Sequence, residues 1–280
     1  MFVFSAGCLW GCMGILVKTM NEGGFTSIEV AAFRSFFTAA CMLAFLFLFR
    51  REKLHIAIRD VWCFIGTGLL SITFFNICYF YCMTITALST AAILLYTAPA
   101  FVMVMSFFLF KERFTGKKIV AVVLAFLGCV CVSGGLAGLQ ISTMGLLSGL
   151  GAGIGYALYS IFGRYAIKKG YDSLTITTYT FVFSAIGLAP MINWGHAMSC
   201  LEASASELLF LFAICALVTI APYILYTRGL EGLENGKASI LASVEPVVAS
   251  LVGFLLYKEG MQPIQVLGMV LVLLSCVLAV

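Results

Sequence analysis

The sequence predicts an all-α integral membrane protein, with ten transmembrane helices arranged as two inverted repeats of five. Three observations carry that expectation. The 280-residue chain is 62% hydrophobic and only 10% charged, with a mean hydropathy of +1.11, whereas a soluble domain needs far more charge on its water-facing surface. Apolar runs of about 20 residues, long enough to cross a bilayer, recur along the whole chain. The second half also repeats features of the first at a nearly constant offset.

Hydropathy places the ten segments at about 2–20, 27–49, 61–83, 88–110, 117–135, 144–166, 173–193, 207–229, 237–257 and 263–280. The first is apolar from Phe2 to Val17 without a basic leader or cleavage site, and is therefore expected to be a span rather than a signal peptide. The second carries Arg34 and the third Asn76 and Tyr79. The fourth holds Tyr96 and Pro99 and ends in Lys111-Glu112, and the fifth follows Lys117-Lys118. The sixth opens with a glycine-rich run whose pairs Gly149/Gly153 and Gly151/Gly155 recur every fourth residue. That spacing lets helix backbones approach closely in lipid; no strand precedes it and no Lys-Ser/Thr follows, so it is not a phosphate loop. The seventh and eighth are plain apolar spans, the eighth with Tyr223 and Tyr226. The ninth contains a carboxylate, Glu245, directly before Pro246, and ends in Lys258-Glu259; the tenth is aliphatic to the end of the chain.

Connections this short make neighbouring helices antiparallel. With a cytoplasmic N-terminus, the inward connections collect all of the sixteen Lys and Arg except Lys18, Lys258 and Arg34, so the positive-inside rule puts both termini in the cytoplasm. At an offset of 146, Trp10 aligns with Tyr156, Lys18 with Arg164, Gly24 with Gly170 and Ser27 with Ser173. At 147, Tyr79 meets Tyr226, Ala91 meets Ala238, Pro99 meets Pro246 and Lys111-Glu112 meets Lys258-Glu259. The two halves are expected at 1–135 and 144–280. Five helices is an odd number, so the copies are upside down relative to one another, an arrangement that secondary transporters use for alternating access and some channels share.

The Pro-centred span followed by Lys-Glu and a last aliphatic helix resembles the EamA domain of the drug/metabolite transporter superfamily. Val244-Glu245-Pro246-Val247 with Lys258-Glu259 is similar to that family's most recognisable signature, and Trp10-Gly11, Arg34 and Pro99 with Lys111-Glu112 extend the likeness through the first half. The chain departs from it in lacking a basic tail after the tenth helix and in having Ala98 where the first repeat would match Glu245. The resemblance implies a ten-helix carrier of small metabolites in the plasma membrane, its central cavity ringed by the first, third, fourth, sixth, eighth and ninth helices. It leaves the substrate open among amino acids, sugars, nucleotides and drugs.

Within that frame, Glu245 stands eight residues past Lys237, roughly 12 Å into a ~30 Å core. A cavity-facing carboxylate there would bind a cationic group or exchange a proton; the plainer reading is a structural acid holding a kink. Pro246, like Pro99, lacks an N–H and bends its helix. Arg34 could neutralise a substrate carboxylate, act in coupling or pair with Glu245, but a long stem snorkelling to the headgroups is the more economical expectation. Trp10, Tyr79, Tyr96, Tyr156, Tyr159, Tyr223 and Tyr226 are candidates for an aromatic wall around a flat or apolar substrate or a cation, against the alternative of ordinary helix packing. Asn76 is expected to hydrogen-bond a neighbouring helix.

The function expected is secondary transport, most simply export of an amino acid or related compound, with a multidrug or cation carrier, a channel or a lipid-flipping protein as alternatives. An enzyme is not expected: both histidines, His55 and His196, fall in connections and are expected to be solvated, and Asp occurs only at Asp60 and Asp172. The 11 cysteines are scattered through apolar runs as small hydrophobes, without disulfide or zinc spacing, so neither a metal nor a cofactor is expected. The partners this reading admits are a small-molecule substrate, the lipid bilayer, protons as coupling ion and a second copy of the chain; the scattered basic residues do not make a nucleic-acid surface.

Overall fold

A computed structural model describes residues 1–134, 142–204 and 208–279, so the segment ends expected at 135, 207 and 280 lie outside the described residues. Within these the chain is helical, with no β-strand. Eight helices are long and apolar enough to cross a membrane: α1 (Phe2–Glu22), α2 (Ser27–Phe49), α3 (Ile58–Ile85), α4 (Leu88–Phe110), α6 (Thr143–Lys168), α7 (Ser173–Met191), α8 (Leu208–Gly232) and α9 (Asn235–Tyr257). The fifth and tenth expected segments are shorter, 17 residues each: α5 (Gly116–Val132) and α10 (Pro263–Ala279). Each falls just below the length that marks the other eight as spans, so eight rather than ten stand on length and composition. One helix was not expected: Trp194–Ala203 lies in the connection between α7 and α8.

Several spans are interrupted. α4 is two half-helices, Leu88–Leu95 and Ala98–Phe110, and α9 likewise, Asn235–Ala242 and Glu245–Tyr257. In both the proline occupies the first turn of the second half, where its missing N–H costs no helical bond. α1 is interrupted at Cys12. α3 contains a π-helical stretch at Gly66–Thr73 and α8 one at Ala216–Ile220, the second directly ahead of Pro222, whose missing N–H interrupts the ladder. Such stretches concentrate at functional positions.

The helices pair as α1 with α8, α6 with α3, α1 with α9, α6 with α4, α2 with α7, α4 with α9 and α5 with α10. Glycines set the closest approaches. A Cβ at Gly7 would meet Val244 Cγ1 at 2.7 Å and the Ala242 carbonyl at 2.8 Å; one at Gly11 would meet the Glu245 carbonyl at 2.7 Å. These two glycines press α1 onto the break in α9. The two stripes on α6 divide as their spacing predicts: Gly149 and Gly153 face Leu94 and Thr97 of α4, while Gly151 and Gly155 face Cys78 and Phe75 of α3.

The face that carries the α2–α3, α4–α5, α6–α7 and α8–α9 connections, here the basic face, is tied by ion pairs: Lys53 with Asp172, Lys169 with Asp60 at 2.9 Å, and Lys118 with Glu234. Asp172 also caps α7 through the Thr175 N–H. Burial alone would raise its carboxyl, but the Lys53 ammonium and the Thr175 N–H and hydroxyl hold it below the ordinary carboxylate range. On the opposite face, His196 is more than a solvated loop residue. Its Nδ1 lies 2.9 Å from Glu29 Oε1, joining the Trp194–Ala203 helix to the carboxylate that also caps the start of α2 with Thr26.

Candidate functional site

The half-helix breaks of α4 and α9, the kink of α1 and the π-helical stretch of α3 meet around a cavity of about 220 Å³. Every side chain expected at a site borders it: Trp10, Arg34, Asn76, Tyr79, Tyr96, Tyr156, Tyr159, Tyr223, Tyr226 and Glu245. Pro99 instead borders a narrow cleft beside it, together with Tyr96, Ala98, Tyr156 and Glu245. Pro246 is buried in the first turn of the second α9 half-helix. Ser71, Ile72, Phe75 and Ser160 line the cavity as well. Nothing in an apolar run marks those four, although Phe75 and Ser160 each stand four residues from a tyrosine already singled out.

Glu245 is the first residue of its half-helix, where the aligned peptide dipoles present positive potential to a carboxylate. The close seat of Gly11 against the Glu245 carbonyl fixes that turn. Arg34 does not snorkel to the headgroups. Its Nε donates to Thr219 Oγ1 at 3.1 Å, and Thr219 is fully buried in the π-helical stretch of α8. Among the described residues no ion pair joins Arg34 and Glu245. Asn76, expected to bond another helix, donates through Nδ2 to the Ile72 carbonyl of its own helix at 2.7 Å, which leaves Oδ1 as an acceptor.

The aromatic wall combines edge-to-face, tilted and stacked ring contacts. Trp10 contacts Tyr223 at 5.1 Å between ring centroids, Tyr226 at 5.3 Å and Tyr156 at 6.3 Å, while Phe75 stacks on Tyr79 at 5.6 Å. Two of the tyrosines have committed hydroxyls: Tyr159 shares a 2.6 Å bond with Thr227 Oγ1 and Tyr226 a 2.7 Å bond with Ser160 Oγ. Those rings therefore offer apolar surface, and the bonds tie α6 to α8 beneath the cavity.

The cavity extends toward one face. Val17, near the end of α1, and Ser27, at the start of α2, border the cavity, whereas no residue of the basic-face connections does. Toward the basic face, α4, α6 and α9 are bonded to one another. Glu112, just past α4, accepts the Asn235 N–H at 2.8 Å and the Gly236 N–H at 3.2 Å, capping α9. Asn235 Nδ2 donates to Ser106 Oγ at 3.1 Å. Arg164 donates through Nε to Asn235 Oδ1 at 2.9 Å and through Nη2 to the Leu233 carbonyl. The equivalent residues of the opposite face are not so engaged: Lys18 lies over the Tyr257 ring at 3.5 Å, and Glu259 makes no bond to α4 among the described residues.

A family model described as the EamA-like transporter family matches this chain twice, over residues 1–134 and 143–280. An "Uncharacterized transporter YwfM" of Bacillus subtilis (strain 168) is 26% identical over 276 residues, 98% of this chain and 91% of that protein. An "Uncharacterized transporter" of Archaeoglobus fulgidus is 28% identical over 276 residues, 97% of this chain and 92% of its own. An "Uncharacterized inner membrane transporter YicL" of Salmonella typhimurium is 24% identical over 292 residues, with 99% and 93% covered. A crystal structure of a protein 17% identical in sequence superimposes with a TM-score of 0.78 over 99% of this chain and 96% of that one, a likeness of fold.

Proposed function

Because the chain belongs to the EamA-like transporter family, we propose that it is a secondary carrier exporting a small metabolite, an amino acid or related compound, by alternating access between two inverted five-helix repeats. The observation that supports this reading is the cavity's asymmetric lining: it extends to Val17 and Ser27, while the Glu112–Asn235–Arg164 network lies toward the basic face. A channel would need a path to both faces. A carrier needs one closed end at a time, with the site at the meeting of interrupted helices.

The repeat reading is supported by backbone detail that no packing argument requires. Gly24 and Gly170, equivalent at the 146 offset, both take left-handed φ, +90° and +91°; Lys111 and Lys258, equivalent at 147, do so at 58° and 55°. α5 and α10, at 17 residues and ~1.5 Å rise, are about 26 Å long, which suits a hydrocarbon core of ~27–30 Å and makes them the fifth and tenth spans. The positive-inside rule sets the basic face and both termini in the cytoplasm of a plasma-membrane protein, so the cavity opens outward.

The cavity volume favours a metabolite over a drug-sized cation, since drug sites occupy ~300–1,000 Å³. No nucleotide-binding motif appears in the sequence, so a substrate or ion gradient drives the cycle; Glu245, which borders the cavity and has no ion pair among the described residues, is the group that would exchange protons. Purified protein in liposomes tests both statements. Saturable, competitor-sensitive flux is expected, and flux linear in concentration would overturn the carrier. Under an imposed pH gradient Glu245→Gln is expected to lose the acceleration that the wild type shows, and identical rates would remove the proton.

A further inference from the structure

We infer that a second site, on the basic face beside α5 and α10, holds the phosphate of an anionic phospholipid. The site is a recess of about 480 Å³ at the α4–α5 connection, bordered by Lys111, Arg113, Lys117, Lys118 and Lys237 and by one acid, Glu234. It shares no lining residue with the central cavity, so the inference does not depend on what that cavity carries. The acid is already taken: the buried Lys118 pairs with Glu234 and donates to the Arg113 carbonyl at 3.1 Å. Lys111, Arg113 and Lys117 are exposed and make no ion pair among the described residues. Three cations therefore border one recess without a carboxylate to meet them.

A phosphate suits such a set, because arginine binds it through two parallel bonds and lysine as a point charge. Basic pockets between helices at this face of a membrane protein receive phospholipid headgroups. What adjoins the charge points to a lipid rather than a free anion. Leu278 and Ala279 of α10 complete the lining. Leu278, Leu274 and Val270 stand one turn apart and all are exposed, so they form a stripe along α10 that leads from the recess toward the middle of the bilayer. A phospholipid with its phosphate in the recess and its chains on the stripe uses both surfaces; a free phosphate uses only the first. A zwitterionic headgroup would bring an ammonium in among the lysines. The turn at the end of α4 does not itself need the cluster. Lys111 recurs in the second half as Lys258, but Arg113, Lys117 and Lys118 have Gly260, Ile264 and Gln265 as their equivalents at the 147 offset.

Four probes test this: short-chain phosphatidylglycerol, short-chain phosphatidylcholine, glycerol 3-phosphate and inorganic phosphate. Each is titrated against the thermal unfolding of the purified protein in a nonionic detergent, because a ligand raises stability according to its occupancy. Phosphatidylglycerol is expected to raise the Tm at concentrations where the other three do not. The variant Lys111→Gln/Arg113→Gln/Lys117→Gln should need roughly tenfold more phosphatidylglycerol, or beyond that, for the same shift. Arg50→Gln/Arg51→Gln/Arg59→Gln removes as much charge from the α2–α3 connection of the same face and should respond like the wild type. The substituted residues are all exposed, so both variants are expected to fold. Equal weakening in the two variants would assign the effect to the general charge of the face and overturn the site. A full response in the first variant, phosphatidylcholine as effective as phosphatidylglycerol, or no response to phosphatidylglycerol would overturn it as well. Glycerol 3-phosphate or inorganic phosphate as effective as phosphatidylglycerol would assign the recess to a soluble phosphate and overturn the lipid.

Discussion

Two glycines three residues apart on α1 should respond in opposite ways to the same substitution. A methyl at Gly11 would stand 2.6 Å from Val248 Cβ and 2.7 Å from the Glu245 carbonyl, and the second of these is backbone that cannot rotate away. A methyl at Gly14 meets nothing within 4 Å. Gly→Ala within a helix is worth about 1 kcal/mol from propensity, and overpacking costs about 1–3 kcal/mol. Gly14→Ala should therefore stabilise by about 1 kcal/mol, while Gly11→Ala should be neutral to destabilising by about 2 kcal/mol. At roughly 2–4 °C per kcal/mol for a large chain, the two Tm values should separate by several degrees in detergent. Gly11→Ala should also slow transport, since it displaces the turn that begins with Glu245. Equal stabilisation by both substitutions would refute the close seat of α1 on the α9 break.

Glu112→Ala removes the two bonds that cap α9 and should cost about 1–2 kcal/mol in thermal unfolding; Glu259→Ala, at the equivalent position but with no facing helix to cap, should cost less. Asp172 has a lowered folded pKa, so its contribution is fully present above the unfolded value of ~3.9 and is lost as pH falls through the folded one. The Tm gap between wild type and Asp172→Asn should accordingly be full at neutral pH and close in strong acid. Moving the acid between halves, Ala98→Glu with Glu245→Ala, should recover part of the substrate-dependent stabilisation that Glu245→Ala alone loses, because both positions border the same cleft.

The sequence exposed what is local and rare in a membrane chain: a carboxylate beside a proline, repeated Lys-Glu ends, glycines at fourfold spacing and an Arg inside a span. Each is visible against an apolar background, and all of the polar and aromatic candidates border one cavity. Rotation of each helix was less legible. Lipid and protein interior are both apolar, so a spanning helix carries little amphipathic signal to fix which face turns inward. Hence the sequence predicts Arg34 at the headgroups although it reaches Thr219, and predicts Asn76 to bond across helices although it bonds Ile72. The π-helical stretch at Gly66–Thr73 follows from how the ladder shifts under packing, which no single residue announces, whereas Pro222 stands just past the one at Ala216–Ile220. The Trp194–Ala203 helix and its His196–Glu29 contact depend on a pairing across 167 positions of sequence.

What the halves share and what they do not share separates scaffold from chemistry. Broken fourth helices, π-helical third helices and left-handed Gly24/Gly170 and Lys111/Lys258 occur twice. The charges occur once each. Glu245 has Ala98 as its equivalent at the 147 offset, and Arg34 has Thr180 at 146, a buried threonine that bonds Thr67 at 2.7 Å. A second acid at position 98 would border the same cleft as Glu245, and two carboxylates sharing a low-dielectric site repel strongly. Division of one acid and one base between the halves avoids that repulsion and leaves neither half with a complete site. On the carrier reading proposed above, a molecule held between the two halves would change the energy of rocking one against the other. That is the coupling between occupancy and movement which a carrier needs and an open pore does not.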